Sequence, residues 1–225
     1  MKVFCLATIA TASILPERLG QGVIVNDSII DEEFMTEVLA APEGRAFKDD
    51  CVNSLSAYHR NAVEACDALV LNNKYRQNHA ANNFVVPSKT TCEGAQKWAQ
   101  HLADKSLAQG KPILEHSPSS ERPGEGENIA WSSWGGSTMS SAVTMFQSED
   151  VNWNFSSATC KKDKVYGHFT QNVWQSTTSA CYAKAVNSLG TWTVGRYNPP
   201  GNYIGQEAKN VDSRGPLDGN YVGSN

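Results

Sequence analysis

The chain has 225 residues, is 40% hydrophobic and 19% charged, and carries a formal net charge of −4. That length suits one large domain, or one of about 150 residues with an extension, and the composition supports a packed core. There is no basic run to mark a nucleic-acid footprint, and no apolar stretch approaches the roughly 20 residues that span a bilayer.

The first thirteen residues, "MKVFCLATIATAS", place Lys2 before a short apolar run from Val3 to Ala10, followed by Ala10-Thr11-Ala12. This is the layout of a secretory signal peptide, here residues 1–12, and it predicts an extracellular protein. Secretion makes bridges the expected fate of cysteines. Of Cys5, Cys51, Cys66, Cys92, Cys160 and Cys181, the first would leave with the signal. Five remain, so at most two bridges form and one thiol is left over. With no CxxC pair, a cysteine zinc site is not expected.

Residues 13–64 form an acidic, weakly patterned N-terminal extension with no evident chemistry. From Ala65 the signals sharpen. Ala68, Leu71 and Tyr75 recur at helical spacing, and His79 ends that stripe as a helix-terminal histidine held by a backbone carbonyl. The next helix starts at a capping box of Thr90 and Glu93. Its apolar stripe is Cys92, Ala95, Trp98, Ala99, Leu102 and Ala103, and Gly110 with Pro112 stops it. "LEHSPSSERPGEGENIAWSSWGGS" then reads mostly as loop, yet it holds His116, Glu127 and Trp131. A third helix runs from about Thr138 to Glu149 on Met139, Ala142, Val143 and Phe146. Its phase turns Glu149 toward the core, where a carboxylate needs a partner. "CYAKAV" and "TWTVGRY" alternate as strands around an "NSLG" turn. Helices first and strands last, without βαβ alternation, imply an α+β layered fold.

Several reaction classes drop out. HExxH, GxSxG and the phosphate- and dinucleotide-binding glycine motifs are absent. A spatial Ser-His-Asp or Cys-His set stays open, because triads are not sequential. What remains is two histidines in glycine-flanked segments, His116 and His168, and two carboxylates, Glu127 and Glu149. Neutral imidazole is the commonest protein ligand for zinc or copper, and a carboxylate beside it fixes its tautomer.

Five stretches carry a resemblance. "GHFTQNVW" and "RYNPPGNYIG" look like the two signatures of the CAP superfamily of cysteine-rich secretory, antigen 5 and pathogenesis-related proteins. "HSPSSERPGEGENIAWSS", "NNKYRQNH" and "AQKWAQHLA" resemble its further conserved segments, and all five stand in the family's order. The resemblance covers residues 65–210, leaving a tail at 211–225. It implies a three-layer α-β-α sandwich with a central antiparallel sheet. It also implies a cleft tetrad of His116, Glu127, Glu149 and His168, with His116 and His168 holding a weakly bound divalent metal such as zinc. The implied function is a secreted, non-enzymatic protein that binds a small lipid or sterol or plays a defence or venom-type role. A secreted metal-dependent or histidine-assisted hydrolase and an extracellular interaction module with a purely structural cleft are the alternatives. An extracellular protein partner is also implied.

Three positions depart from the family pattern: Asn172 for an aliphatic residue, Asn72 for histidine and Tyr166 for a plant-type cysteine. Cys160 and Cys181 flank the "GHFTQ" segment and are expected to pair, Cys51 and Cys66 to pair next, and Cys92 to stay free. Asn26 in Asn-Asp-Ser and Asn154 in Asn-Phe-Ser fit the N-glycosylation acceptor pattern.

Overall fold

The computed structural model describes residues 11–13, 42–79 and 84–211. Most of the expected signal and the sequon at Asn26 lie outside these residues, as does the tail beyond 211. The elements in order are β1 (Thr11–Ser13), α1 (Pro42–Leu55), α2 (Ala62–Asn78), α3 (Lys89–Gln109), β2 (Gly126–Ser132) and α4 (Met139–Gln147). There follow β3 (Trp153–Asn154), β4 (Thr159–Cys160), α5 (Gly167–Val173), β5 (Ser179–Asn187), β6 (Gly190–Asn198) and α6 (Glu207–Asn210). Short 3-10 turns occupy Ser119–Glu121 and Ser148–Asn152.

The sheet runs β1-β2-β6-β5. The β5-β6 hairpin is antiparallel, as expected; β2, in a stretch read mostly as loop, also pairs antiparallel with β6, and β1 adds a parallel edge on β2. The expected cleavage point at residue 12 falls inside β1. One face of the sheet packs under α3, where Ala95, Trp98, Ala99 and Leu102 meet Ile129, Ala183, Trp192 and Val194. The other face carries α1, α2 and α4, joining Leu55, Leu69, Leu71, Val143 and Phe146 to Ala130, Tyr182 and Tyr197. The result is the three-layer α-β-α sandwich. A third cluster of Trp153, Tyr166, Phe169, Val173 and Trp174 surrounds α5 and the β3-β4 ribbon. Among the described residues no helix is long and apolar enough to cross a membrane.

Local chemistry explains the helix ends. The cap of α3 is Ser88, two residues before the expected Thr90. Ser88 Oγ accepts from Thr91 N at 3.2 Å, and Thr91 Oγ1 accepts from Ser88 N at 3.2 Å. Gly110 closes the helix with φ of 66°, a left-handed conformation that suits glycine. Helix α4 ends at Gln147, and the 3-10 turn after it carries Glu149. Helix α2 is buried over most of its circumference rather than along one stripe. His79 is buried at its end, and its Nε2 accepts from the Gln147 amide at 3.0 Å. Arg76, on the same helix, has no exposed surface. Its guanidinium donates to the carbonyls of Asn172, Trp174 and Thr177 at 2.9–3.0 Å, and burial pushes it down to about 10.

The bridges correct part of the sequence reading. Cys51 pairs with Cys66, as expected, and ties α1 to α2. Cys181 pairs with Cys92, not with Cys160. Cys92 sits on the sheet-facing side of α3, its Cα 5.0 Å from that of Cys181 on β5, whereas Cys160 belongs to the ribbon cluster beyond α5. Cys160 is disulfide-bonded as well, so no free thiol occurs among the described residues.

His59, between α1 and α2, is buried. Its Nε2–H donates to Tyr182 O at 2.9 Å while Nδ1 accepts from Asn61 N at 3.1 Å, an arrangement that only the neutral ring satisfies. Burial holds its pKa below the ordinary value, outweighing the Tyr182 carbonyl and Glu64, which act the other way. An unfolded His59 titrates near 6.5. Its contribution to stability is therefore complete above about 6.5 and is lost as pH falls from there through the lower folded value. Urea unfolding followed between pH 7 and 5 should show a steeper loss for the wild type than for His59→Gln. Parallel slopes would remove His59 from the acid response.

Candidate functional site

Four elements supply the expected tetrad. His116 lies in the connector after α3, Glu127 on β2, Glu149 on the 3-10 turn after α4, and His168 in the first turn of α5. The structure joins them as two histidine–carboxylate pairs.

In the first pair, His116 Nδ1 is 2.7 Å from Glu127 Oε1. The same carboxylate accepts from Ser117 N at 2.9 Å and from Ser117 Oγ at 2.9 Å. Arg196 Nε lies 2.9 Å from Glu127 Oε2. Strand register creates this last contact, because Glu127 and Arg196 are direct cross-strand partners on β2 and β6. Arg196 also donates from Nη1 to Glu125 Oε2 and from Nη2 to Ser117 Oγ, each at 3.0 Å. The Glu127 side chain has no exposed surface. Burial, the largest single influence, pushes its carboxyl up. The His116 hydrogen bond, the Arg196 charge and the Ser117 amide together outweigh it and leave the group below the ordinary carboxylate value.

In the second pair, His168 Nδ1 is 2.6 Å from Glu149 Oε1. Glu149 Oε2 accepts from His168 N at 2.9 Å and Phe169 N at 3.4 Å. Tyr166, at the start of α5, offers no side-chain cap, so a carboxylate from a separate element satisfies the orphan amides of that helix. The His168 ring stacks on Phe146 with centroids 4.9 Å apart. Among the described residues no lysine or arginine is paired with Glu149.

The two pairs share one chemical outcome. An ionised carboxylate only accepts, so each Nδ1 carries a proton, and in the neutral form that metal binding takes, each ring bears its lone pair on Nε2. Nε2 of His116 and Nε2 of His168 are both buried and have no hydrogen-bond partner among the described residues. Two bare imidazole nitrogens, each backed by a carboxylate, are the donor set that zinc-like ions take. No group of three or more His, Cys, Asp or Glu arranged around one ion site occurs among the described residues.

Sequence reasoning missed the residues that hold the tetrad in place. Arg196 was legible in principle, since a charge in the strand "TWTVGRY" demands a buried counter-charge. Asn128 donates to His168 O at 3.1 Å and to Tyr197 Oη at 3.1 Å. Tyr197 Oη donates to Asn172 Oδ1 at 2.7 Å. Asn172, the departure from the aliphatic pattern, is thus a buried polar partner. Gly126 leaves room for the Gln171 amide: a Cβ there would lie 2.1 Å from Gln171 Oε1, which accepts from Gly201 N, so a larger residue would have to displace that hydrogen bond.

Comparison with known proteins gives a consistent picture. The family profile described as "CAP: Cysteine-rich secretory protein family" matches residues 69–197. The human Golgi-associated plant pathogenesis-related protein 1 is 35% identical over 141 residues, covering 62% of this chain and 85% of that protein. Pathogenesis-related protein 1C of Nicotiana tabacum is 38% identical over 130 residues, covering 57% and 74% respectively. Among solved structures, the Schistosoma mansoni venom allergen-like protein 4 aligns with a TM-score of 0.52 at 15% identity, over 68% of this chain and 96% of that one. BmVAL-1 aligns with a TM-score of 0.51 at 21% identity, over 63% and 79%. At those identities the structural matches speak to the fold alone.

Proposed function

The chain belongs to the cysteine-rich secretory protein (CAP) family, and on that premise we propose that it is an extracellular, non-enzymatic binding protein whose cleft histidines hold one divalent ion. The observation that carries this reading is the pair of buried, unpartnered Nε2 atoms, each on a ring whose Nδ1 is fixed by a carboxylate. His116 and His168 would ligate, and Glu127 and Glu149 would orient the rings. A bound ion would supply positive charge and Lewis acidity to a ligand oxygen. The ligand class that family membership suggests is a small lipid or sterol, with a defence or venom-type role as its setting. A hydrolytic zinc site ordinarily uses three protein ligands. The described residues offer two, which favours binding over turnover.

Calorimetric titration with zinc at neutral pH tests the ion site. Wild type should bind weakly, and His116→Ala or His168→Ala should remove most of the binding. Glu149→Gln should weaken it by about 10- to 100-fold, the usual cost of losing such an orienting partner. Identical heats from wild type and the double histidine variant would make the cleft a structural hydrogen-bond cluster. Mass spectrometry of lipids extracted from the purified protein tests the ligand class separately.

A further inference from the structure

We infer that Asn154 is an N-glycan acceptor, its Nδ2 taking a sugar chain from a lipid-linked oligosaccharyl diphosphate. The tripeptide Asn154-Phe155-Ser156 fits the acceptor pattern. The local fold turns that pattern into a presented site. Asn154 ends β3, which pairs with β4 to make a two-stranded ribbon. Successive side chains alternate between faces there. Trp153 is buried, and Phe155 turns inward to stack on His79 at 5.5 Å and meet Phe169 at 5.9 Å. Asn154, Ser156 and Ser157 are exposed. The acceptor and its hydroxyl therefore share the outer face, and the residue between them anchors the segment.

The amide is also held one way round. Asn154 Oδ1 accepts from Ser156 Oγ at 2.8 Å, Ser156 N at 3.1 Å and Ser157 N at 3.3 Å. Three donors on the oxygen leave Nδ2, the atom that forms the glycosidic bond, facing away and in no hydrogen bond among the described residues. In the transfer, Nδ2 loses one proton and bonds to the anomeric carbon. The bond from that carbon to the diphosphate oxygen breaks, and the diphosphate leaves with the electron pair.

This inference rests on the extracellular reading, so the experiment separates the two. The full chain is expressed in a eukaryotic host behind an added secretory leader, and material from the medium is treated with an amidase that removes N-glycans. Wild type should lose one glycan more than Asn154→Gln does. Ser156→Ala should match the Asn154→Gln result, and Ser156→Thr should keep the glycan. The peptide spanning residues 153–160 should show the mass change of deamidation at Asn154. Recovery of that peptide wholly unmodified from folded, secreted protein would overturn the inference. Expression without the added leader reads the extracellular proposal on its own.

Discussion

Replacing Arg196 with leucine should cost about 3–5 kcal/mol of stability at neutral pH, the usual result of breaking a buried ion pair from one side. Arg196 is 2% exposed and faces two carboxylates that are themselves buried, Glu125 at 3.0 Å and Glu127 at 2.9 Å. Without the guanidinium, Glu127 keeps His116 and Ser117, but the Glu125 carboxylate loses its hydrogen bond from Arg196. The effect should depend on pH in a defined direction. The folded-state pKa of Glu127 lies below its unfolded value, near 4.3. In wild type its contribution is present above that value and is lost as pH falls through the folded one. In the variant Glu127 loses the Arg196 charge that helps hold it down, so burial pushes its carboxyl upward and protonation relieves it. The stability gap should therefore narrow as pH drops from 7 toward 4 in urea unfolding. A gap under about 1 kcal/mol, in the range of exposed pairs, would show that Arg196 is dispensable.

Removing the Cys92–Cys181 bridge should be about as costly. It spans 89 residues and links α3 to β5 across one face of the sandwich. On the chain-entropy account a closed loop of that size is worth roughly 4–5 kcal/mol, against about 3 kcal/mol for the 15-residue separation of Cys51–Cys66. Alanine at both ends is the cleaner substitution, because both sulfurs sit in the apolar core. For a chain of this size the loss should lower Tm by about 10 °C or more. A Cys92→Ala, Cys181→Ala variant no less stable than Cys51→Ala, Cys66→Ala would contradict the loop-length ordering. Non-reducing peptide mapping checks the pairing directly.

Elements with strong local signals were legible from sequence. The stop of α3 at Gly110 and the β5-β6 hairpin around "NSLG" follow from turn chemistry, whereas Glu149 reaches His168 from the 3-10 turn beyond α4 rather than by helical phase. Strand β2 was not legible. Its residues Gly126 to Trp131 are buried on both faces, so no alternation marks it, and Gly, Ser and Pro on either side make it look like loop. Helix α1 was hidden for the opposite reason, with an acidic, weakly patterned sequence that is held by Cys51–Cys66 and by packing of Leu55. The bridge from Cys92 was missed because pairing follows distance in space, and the sheet places position 181 beneath α3. The tetrad came from motif order. Its supports, Arg196, Asn128 and Tyr197, depend on register, which no single segment encodes.

That register has a consequence for how errors in folding are detected. Glu127 and Asn128 are neighbours on β2, and adjacent strand residues point to opposite faces. One meets His116, Ser117 and Arg196, while the other reaches His168 O and Tyr197. A slip of β2 by one residue would exchange them, sending a carboxylate into the tyrosine side and an amide toward the guanidinium. Both halves of the site would fail together. The paired histidines thus act as a proofreading check on the central strand: a chain that has assembled both has already aligned its sheet.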